Sequence, residues 1–336
     1  MDISFTKGIM KKILVIGGSG FVGSRLIELC GHNNCLNIDK SDSQWHKEIS
    51  VKKNIINRHS LQFEQNIDCV VLLAAEHRDD VFPKSLYYDV NVEGTRNVLE
   101  EMDRVGIKHL IFTSSVAVYG LNKHNPNEAH HQDPFNDYGK SKFEAEEVIK
   151  HWYETNPKEK SVTIIRPTVI FGERNRGNVF NLLKQISSGR FLMIGSGQNK
   201  KSMAYIGNVV AFIKNRIETR ELGYNVYNYS DKPDFTMSEL SSVIEKKMNL
   251  SIPNTKIPFW LGMLGGYGFD VLALLTRKRF SISSIRVKKF CATTQFDSTK
   301  AHSVFKAPYS LEEGLNKTLE FEFINTKEDK TVFYSE

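Results

Sequence analysis

The chain has 336 residues, 40% of them hydrophobic and 25% charged, with a formal net charge of +6 at pH 7. That describes a soluble globular chain able to bury a large core in one domain or two coupled ones. The charge is spread along the sequence and densest at Arg277 to Arg279 and Arg286 to Lys289; anionic small substrates satisfy it as well as a polyanion, so no nucleic-acid partner is expected.

Met1 to Gly8 lacks the apolar segment of a signal peptide, and Met10-Lys11-Lys12 reads as a natural start, leaving the first nine residues as an upstream extension. Ile13 to Ile16 then form a short apolar run, followed by IGGSGFVG and, from Ser24 to Cys30, a helical pattern. Gly17, Gly20 and Gly23 stand at Gly-x-x-Gly-x-x-Gly spacing between a buried parallel strand and a helix, the setting in which a dinucleotide pyrophosphate meets a helix N-terminus. A second strand, Cys35 to Ile38, closes on Asp39. A carboxylate there accepts from both ribose hydroxyls and repels a 2′-phosphate, which favours NAD over NADP, although Lys40 beside it softens that repulsion.

Strands and helices go on alternating, as a parallel sheet covered on both faces requires. Cys69 to Ala75 reads as a third buried strand, Val92 to Val105 as a helix, His109 to Ser114 as a fourth strand, Tyr138 to Tyr153 as a long helix and Val162 to Arg166 as another strand. The long apolar stretch from Ile257 to Leu275 is interrupted by Gly262, Gly265, Gly266, Gly268 and Asp270. It is expected to be a lid or a core helix pair over a pocket, with no stable membrane insertion. Cys30, Cys35, Cys69 and Cys291 have neither metal nor disulfide spacing and suit reduced thiols of a cytoplasmic protein; His124, His130 and His131 sit in a polar loop, so no metal is expected.

Chemistry concentrates where the fourth strand ends, in TSSVAVYG at 113 to 120, and where the long helix begins, in YGKSK at 138 to 142. Tyr138 and Lys142 lie four apart and share one helix face. An ammonium beside a phenol lowers the phenol pKa from its usual value of about 10, fitting Tyr138 to exchange a proton with a substrate hydroxyl. Ser115, at a strand's carboxyl end, is placed to hydrogen-bond the same oxygen. A Tyr-x-x-x-Lys pair alone is commonly an exposed helix pair; order and spacing give this one its meaning.

Together these segments resemble the extended short-chain dehydrogenase/reductase superfamily, in its nucleotide-sugar epimerase/dehydratase branch, from about residue 11 to 322. NVEGT at 91 to 95, LAA at 73 to 75, IRPTVIFG at 165 to 172 and FDSTKAHSVFKAPYSLEEGL at 296 to 315 resemble further family motifs. The resemblance implies a Rossmann-type doubly wound parallel sheet with a smaller C-terminal α/β substrate domain. The NAD-binding part covers 10–172 plus about 202–235, and the substrate part 173–201 and 236–325. Ser115, Tyr138 and Lys142 fall on the catalytic positions. Gly17, Ser19, Gly20, Phe21, Val22, Gly23, Asp39, Leu73, Ala74, Ala75, Asn91 and Pro167 fall on cofactor positions together with Tyr138 and Lys142. Asn54 and Ile55 stand where relatives carry an Asp-Ile pair that brackets adenine. Arg78, Asn178 and Lys201, with Ser115, are the implied substrate contacts, Lys201 replacing an arginine for the diphosphate and so supplying charge without a bidentate fork.

The two residues after the catalytic serine discriminate between branches. Dehydratases of this family carry Asp-Glu there, because eliminating water needs an extra acid and base; Val116 and Ala117 can neither give nor take a proton. The pattern therefore implies an NAD-dependent epimerase acting at C4 of a nucleotide-diphosphate sugar through a transient 4-ketone, in polysaccharide biosynthesis. An NAD(P)H-dependent 4-keto sugar-nucleotide reductase uses the same three side chains and remains open. Val169 in place of the family's asparagine and the apolar 257 to 275 stretch also resemble 3β-hydroxysteroid dehydrogenases, and a catalytically inactive regulatory subunit is the reading from another class. Relatives pair two helices into a homodimer, which here gives Met102, Val105, Phe143, Val148 and Trp152 as contacts or as residues facing the protein's own sheet.

Overall fold

The computed structural model describes residues 12–78, 81–189, 191–253, 255–276, 283–325 and 331–334. The residues before Lys12 and the basic run Arg277 to Arg279 lie outside them. Seven parallel strands form one sheet: β1 (Lys12–Ile16), β2 (Cys35–Asp39), β3 (Ser50–Lys52), β4 (Ile67–Leu72), β5 (His109–Thr113), β6 (Ser161–Pro167) and, after a gap in sequence, Gly223–Tyr229. Their spatial order, with the Gly223–Tyr229 strand first, continues β6, β5, β4, β1, β2, β3. The order reverses at β1, and the crevice beyond the carboxyl ends of β1 and β4 is where an open sheet of this kind receives a ligand. Central strands are sealed on both faces, which is why they read as continuous apolar runs rather than alternating ones: Leu14 to Ile16 and Cys69 to Leu72 are buried.

Helices α1 (Phe21–Cys30), α2 (Ser85–Tyr88), α3 (Gly94–Val105) and α4 (Asp137–Glu154) connect these strands. Two buried clusters result, one on each side of the sheet. Leu14, Ile16, Val70, Leu72, Leu110 and Phe112 meet α3 and α4 on one face; Val15, Val71, Ile111 and Ile165 meet α1 and later helices on the other. Met102 and Trp152 belong to the first cluster and Val105 and Val148 pack against it, so these four of the candidate dimer contacts face the chain's own sheet.

Beyond β6 the chain adds short pieces: β7 (Val169–Phe171), α5 (Asn178–Ser187), β8 (Met193–Ile194), β9 (Lys200–Lys201), β10 (Met203–Tyr205) and α6 (Ile206–Thr219). The strand Gly223–Tyr229, β11, returns to the main sheet beside β6. Then come β12 (Phe235–Thr236), α7 (Met237–Met248), β13 (Lys256–Ile257), α8 (Phe259–Thr276), α9 (Ser284–Cys291), α10 (Thr299–Val304) and α11 (Leu311–Leu319). Their strands pair two by two, β10 with β7, β12 with β9 and β13 with β8.

The 257 to 275 stretch departs from expectation. It is one unbroken helix, and it is no core helix, for Gly262 and Gly266 are its only buried residues. Its glycines do not break it because Gly262 and Gly266 fall one turn apart and form the contact with Ile194, Val287 and Ser284.

Candidate active site

The glycine turn explains itself by contact. Gly17 has φ 91°, and a Cβ on it would stand 2.6 Å from the Ala74 nitrogen; only glycine allows β1 to turn this close to the end of β4. A Cβ on Gly23 would meet the Gly17 carbonyl at 2.4 Å, so this residue lets α1 close onto the turn. Gly20, the N-cap of α1, has just the Gly17 carbonyl near its Cβ position, at 3.4 Å, and leaves its outer side open. The first-turn amides at Phe21, Val22 and Gly23 receive no side-chain cap, and an uncapped helix start with its partial positive charge suits a phosphate.

Asp39 closes β2 beside this turn. Its Oδ2 accepts from the Ser19 amide at 2.9 Å and its Oδ1 from the Ser41 amide at 2.8 Å, so the carboxylate is pinned at the rim of the crevice. Lys40 does not face it; its Nζ pairs with Glu76 at 3.5 Å. Burial works against the Glu76 charge, yet the hydrogen bond from Arg78 and the charges of Lys40 and Arg78 hold the carboxyl below its ordinary range. Asn37 was missed by sequence reasoning. Fully buried, it accepts from the Gly18 amide at 2.9 Å and donates to Ser50 Oγ at 2.8 Å; an amide in the middle of the apolar run CLNID was the available signal. Amide donors for a pyrophosphate, an acceptor for ribose hydroxyls and the small floor of Leu73, Ala74 and Ala75 together fit a dinucleotide.

Four further candidate cofactor positions have structural partners. Ile55 is buried against Gly94, where a Cβ would come within 2.6 Å of it. Asn54 is exposed and caps its own turn through the Ile56 amide at 3.2 Å. Asn91 is buried; it exchanges hydrogen bonds with the Glu76 backbone at 2.9 Å and donates to Ser141 Oγ at 2.9 Å. It therefore ties the loop after β4 to α4 and acts as a positioning residue. Pro167, at the end of β6, is buried beside Tyr229.

The proposed catalytic side chains converge where β5 ends. Asn136 caps α4 by accepting from the Gly139 amide at 2.9 Å, and a Cβ on Gly139 would lie 2.7 Å from the Ala117 carbonyl. That close approach presses the first turn of α4 onto the Ser115 loop and sets the Ser115 hydroxyl against the Tyr138 phenol. One turn on, the buried Lys142 donates to the Thr113 carbonyl at 2.7 Å and lies 4.5 Å from the Phe112 ring centroid. Under this pair, Arg166 is held by Glu146 at 2.9 Å and donates to the Tyr119 hydroxyl at 2.8 Å, which donates to Asn228 at 2.8 Å. This network joins α4, β6, the Ser115 loop and β11, and its members were not singled out from sequence.

The electrostatics correct one expectation. Burial raises the Tyr138 pKa, and the Ser115 hydrogen bond only opposes it; the ammonium does not win, because burial pushes Lys142 itself down to about 7. Both groups are thus poised towards neutrality in the protein alone, and an added positive charge nearby shifts the phenol towards its anion.

The substrate side is less convergent. Arg78 is half exposed and bonds Glu76 at 3.2 Å. Asn178 is exposed at the start of α5. Lys201 donates to the Lys289 and Ala292 carbonyls at 2.8 and 2.6 Å, holding the end of α9, and burial lowers its pKa to about 8; one of its three protons remains for an anion.

A doubly wound sheet with this turn and this Ser-Tyr-Lys group defines a nicotinamide-dependent enzyme of the short-chain dehydrogenase/reductase type. More narrowly, a family model described as the NAD dependent epimerase/dehydratase family matches residues 13–229, and the chain belongs to that family. It is 58% identical over 327 residues, 96% of this chain and 99% of the relative, to an N-acetyl-alpha-D-glucosaminyl-diphospho-ditrans,octacis-undecaprenol 4-epimerase of Escherichia coli O157:H7. It is 30% identical, over 92% of its length and 94% of the relative's, to a UDP-glucose 4-epimerase of Vibrio cholerae. The fold matches the crystal structure of a UDP-glucuronic acid 4-epimerase from Bacillus cereus in complex with NAD, with TM-score 0.69 and 20% identity over 92% of this chain and 96% of that one.

Proposed function

We propose that the chain is an NAD-dependent 4-epimerase of a sugar carried on a diphosphate, and that the carrier is a polyprenyl lipid bearing an N-acetylhexosamine. The observation that carries this reading is the 58% identity extending over nearly all of both chains. A nucleotide-diphosphate sugar, the carrier the sequence motifs imply, is the second reading, supported by the Vibrio cholerae relative. In either case residues 173–201 and 236–325 form the substrate lobe.

When bound, NAD supplies a hydride acceptor and donor and, in its oxidised form, a positive charge. Tyr138 takes the proton of the C4 hydroxyl as that carbon is oxidised to a ketone, and gives it back when the carbon is reduced from the opposite side. Ser115 holds the same oxygen by a hydrogen bond and steadies the phenol. Lys142, fixed by the Thr113 carbonyl, stands one helical turn from Tyr138 and gains a proton, and with it a positive charge, as pH falls below about 7. Val116 and Ala117 bring no further acid or base, so no water is eliminated. Asp39 would hold ribose hydroxyls of the cofactor and the amides of Phe21 and Val22 its pyrophosphate, which would keep it bound between turnovers.

The test is incubation of purified protein with polyprenyl-diphosphate N-acetylglucosamine or its UDP counterpart, without added cofactor. Conversion of the lipid-linked sugar to its C4 epimer, with the nucleotide sugar turned over at least about tenfold more slowly, supports the proposal. Stoichiometric consumption of added NADH with a 4-keto sugar defines a reductase instead.

A further inference from the structure

One side of α8 is closed and the other is open. On the closed side Gly262 and Gly266 admit Ile194, Val287 and the Ser284 backbone, and Asp270 accepts from the Ser284 amide at 3.2 Å and from its hydroxyl. The acid of the helix is thereby turned towards α9. The open side carries Trp260, Leu264, Tyr267, Val271, Leu274 and Leu275, between 57% and 80% exposed. Their spacing of three and four residues makes one continuous stripe. Isolated apolar residues at a surface are ordinary, but a stripe of this length on a soluble chain marks something that covers it.

Charge identifies the cover. The cations are scattered along the sequence, but their excess is not. Residues 256–291 hold seven Lys and Arg against the single Asp270, an excess of six. That equals the net charge of the entire chain, so the other 300 residues are electrically balanced. Within the described residues of this segment, Lys256, just before α8, and Arg286, Lys288 and Lys289, on the helix packed against it, are all exposed. An in-plane amphipathic helix on an anionic bilayer needs this combination of an apolar face with an aromatic such as Trp260 or Tyr267, flanked by cations. A second copy fits less well, because an isologous contact brings the same excess of cations against itself. A spanning orientation fits poorly too, since α9, packed antiparallel against α8 through Ser284 and Val287, would take its charges into the hydrocarbon.

We propose that the outer face of α8 lies in the headgroup boundary of an anionic membrane, with the α9 cations over the lipid headgroups, bringing the substrate lobe to the bilayer surface. This surface stands on α8 itself and holds whichever carrier the sugar has, so activity on a soluble nucleotide sugar alone would remove the lipid-carrier reading without touching it.

The experiment is flotation of the full chain, loaded with NAD, on vesicles of phosphatidylcholine with and without phosphatidylglycerol. Expected is co-flotation with the anionic vesicles, at least fivefold weaker on phosphatidylcholine alone, and lost in a Leu264→Glu, Leu274→Glu double variant that still binds NAD. Quenching of fluorescence by brominated lipid, present in the parent and abolished in the mild Trp260→Phe variant, reports the same contact without an added charge. A parent chain that stays with the soluble fraction, or that is not quenched, overturns the proposal. So does a dimer that the double variant splits, which would make a second copy the occupant.

Discussion

Strand β4 and helix α8 are both nearly pure apolar sequence, IDCVVL in one and FWLGMLGGYGFDVLALLT in the other, and the fold treats them oppositely. Four consecutive residues of β4, Cys69 to Leu72, are at most 1% exposed, while in α8 just Gly262 and Gly266 are buried. The difference lies in the neighbours. β4 has a hydrogen-bonded strand on each side and a helical layer on each face, whereas α8 has α9 on one side and nothing described on the other. Apolar sequence therefore states that a segment leaves water without stating what it leaves water for.

The contrast orders the expected effects. The largest belongs to the pair proposed as catalytic: Tyr138→Phe is expected to retain NAD and lose at least about 10²-fold in turnover, measured by C4 epimer formation, because the proposed proton path runs through the phenol. Unchanged turnover removes Tyr138 from the mechanism. Next is the network beneath it. Glu146→Gln leaves the Arg166 guanidinium buried without its countercharge, and breaking a buried pair from one side costs about 3–5 kcal/mol in denaturant unfolding; a loss under about 1 kcal/mol would show the network to be dispensable.

A smaller effect concerns pH. Lys142 titrates near 7 in the folded chain and at 10.5 ordinarily, so between those values the unfolded chain binds more protons and folding is favoured as pH rises. Relative to a Lys142→Met variant, the parent should gain stability from pH 7 towards pH 10, with a slope of at most about 1.4 kcal/mol per pH unit. A flat difference would place the ammonium in a wetter site than the fold suggests. The smallest effect returns to α8. In lipid-free buffer Leu264→Glu is expected to change unfolding free energy by no more than about 0.5 kcal/mol, whereas Val70→Glu in β4 puts an unpaired charge inside the sheet and should prevent folding.

Much of the cofactor half was legible in advance because its contacts are local. Gly17, Gly20 and Gly23 sit within one turn, and Asp39 closes the next strand. The strand limits shifted only slightly: α1 begins at Phe21 rather than Ser24, and β4 ends at Leu72 rather than Ala75. What sequence could not supply were facts that depend on residues far apart meeting. The Asn37 bond to Gly18, the Asn91 brace to Ser141 and the Glu146, Arg166, Tyr119 and Asn228 chain cross 19 to 109 positions. The pKa balance of Tyr138 and Lys142 failed for a related reason. Helical spacing reveals that two groups are neighbours, while the burial that outweighs their attraction comes from β5 and the Ser115 loop. Nor does hydrophobicity distinguish a core helix from an exposed one, which is why 257 to 275 reads equally as a lid or as a core helix pair.

The central claim, that hydride leaves and returns to the same carbon while one phenol handles the proton, is tested most directly with substrate deuterated at C4 and no added cofactor. The account predicts that the epimer keeps its deuterium at C4 and that none reaches solvent. An epimer carrying protium at C4, or deuterium released to water, would contradict it.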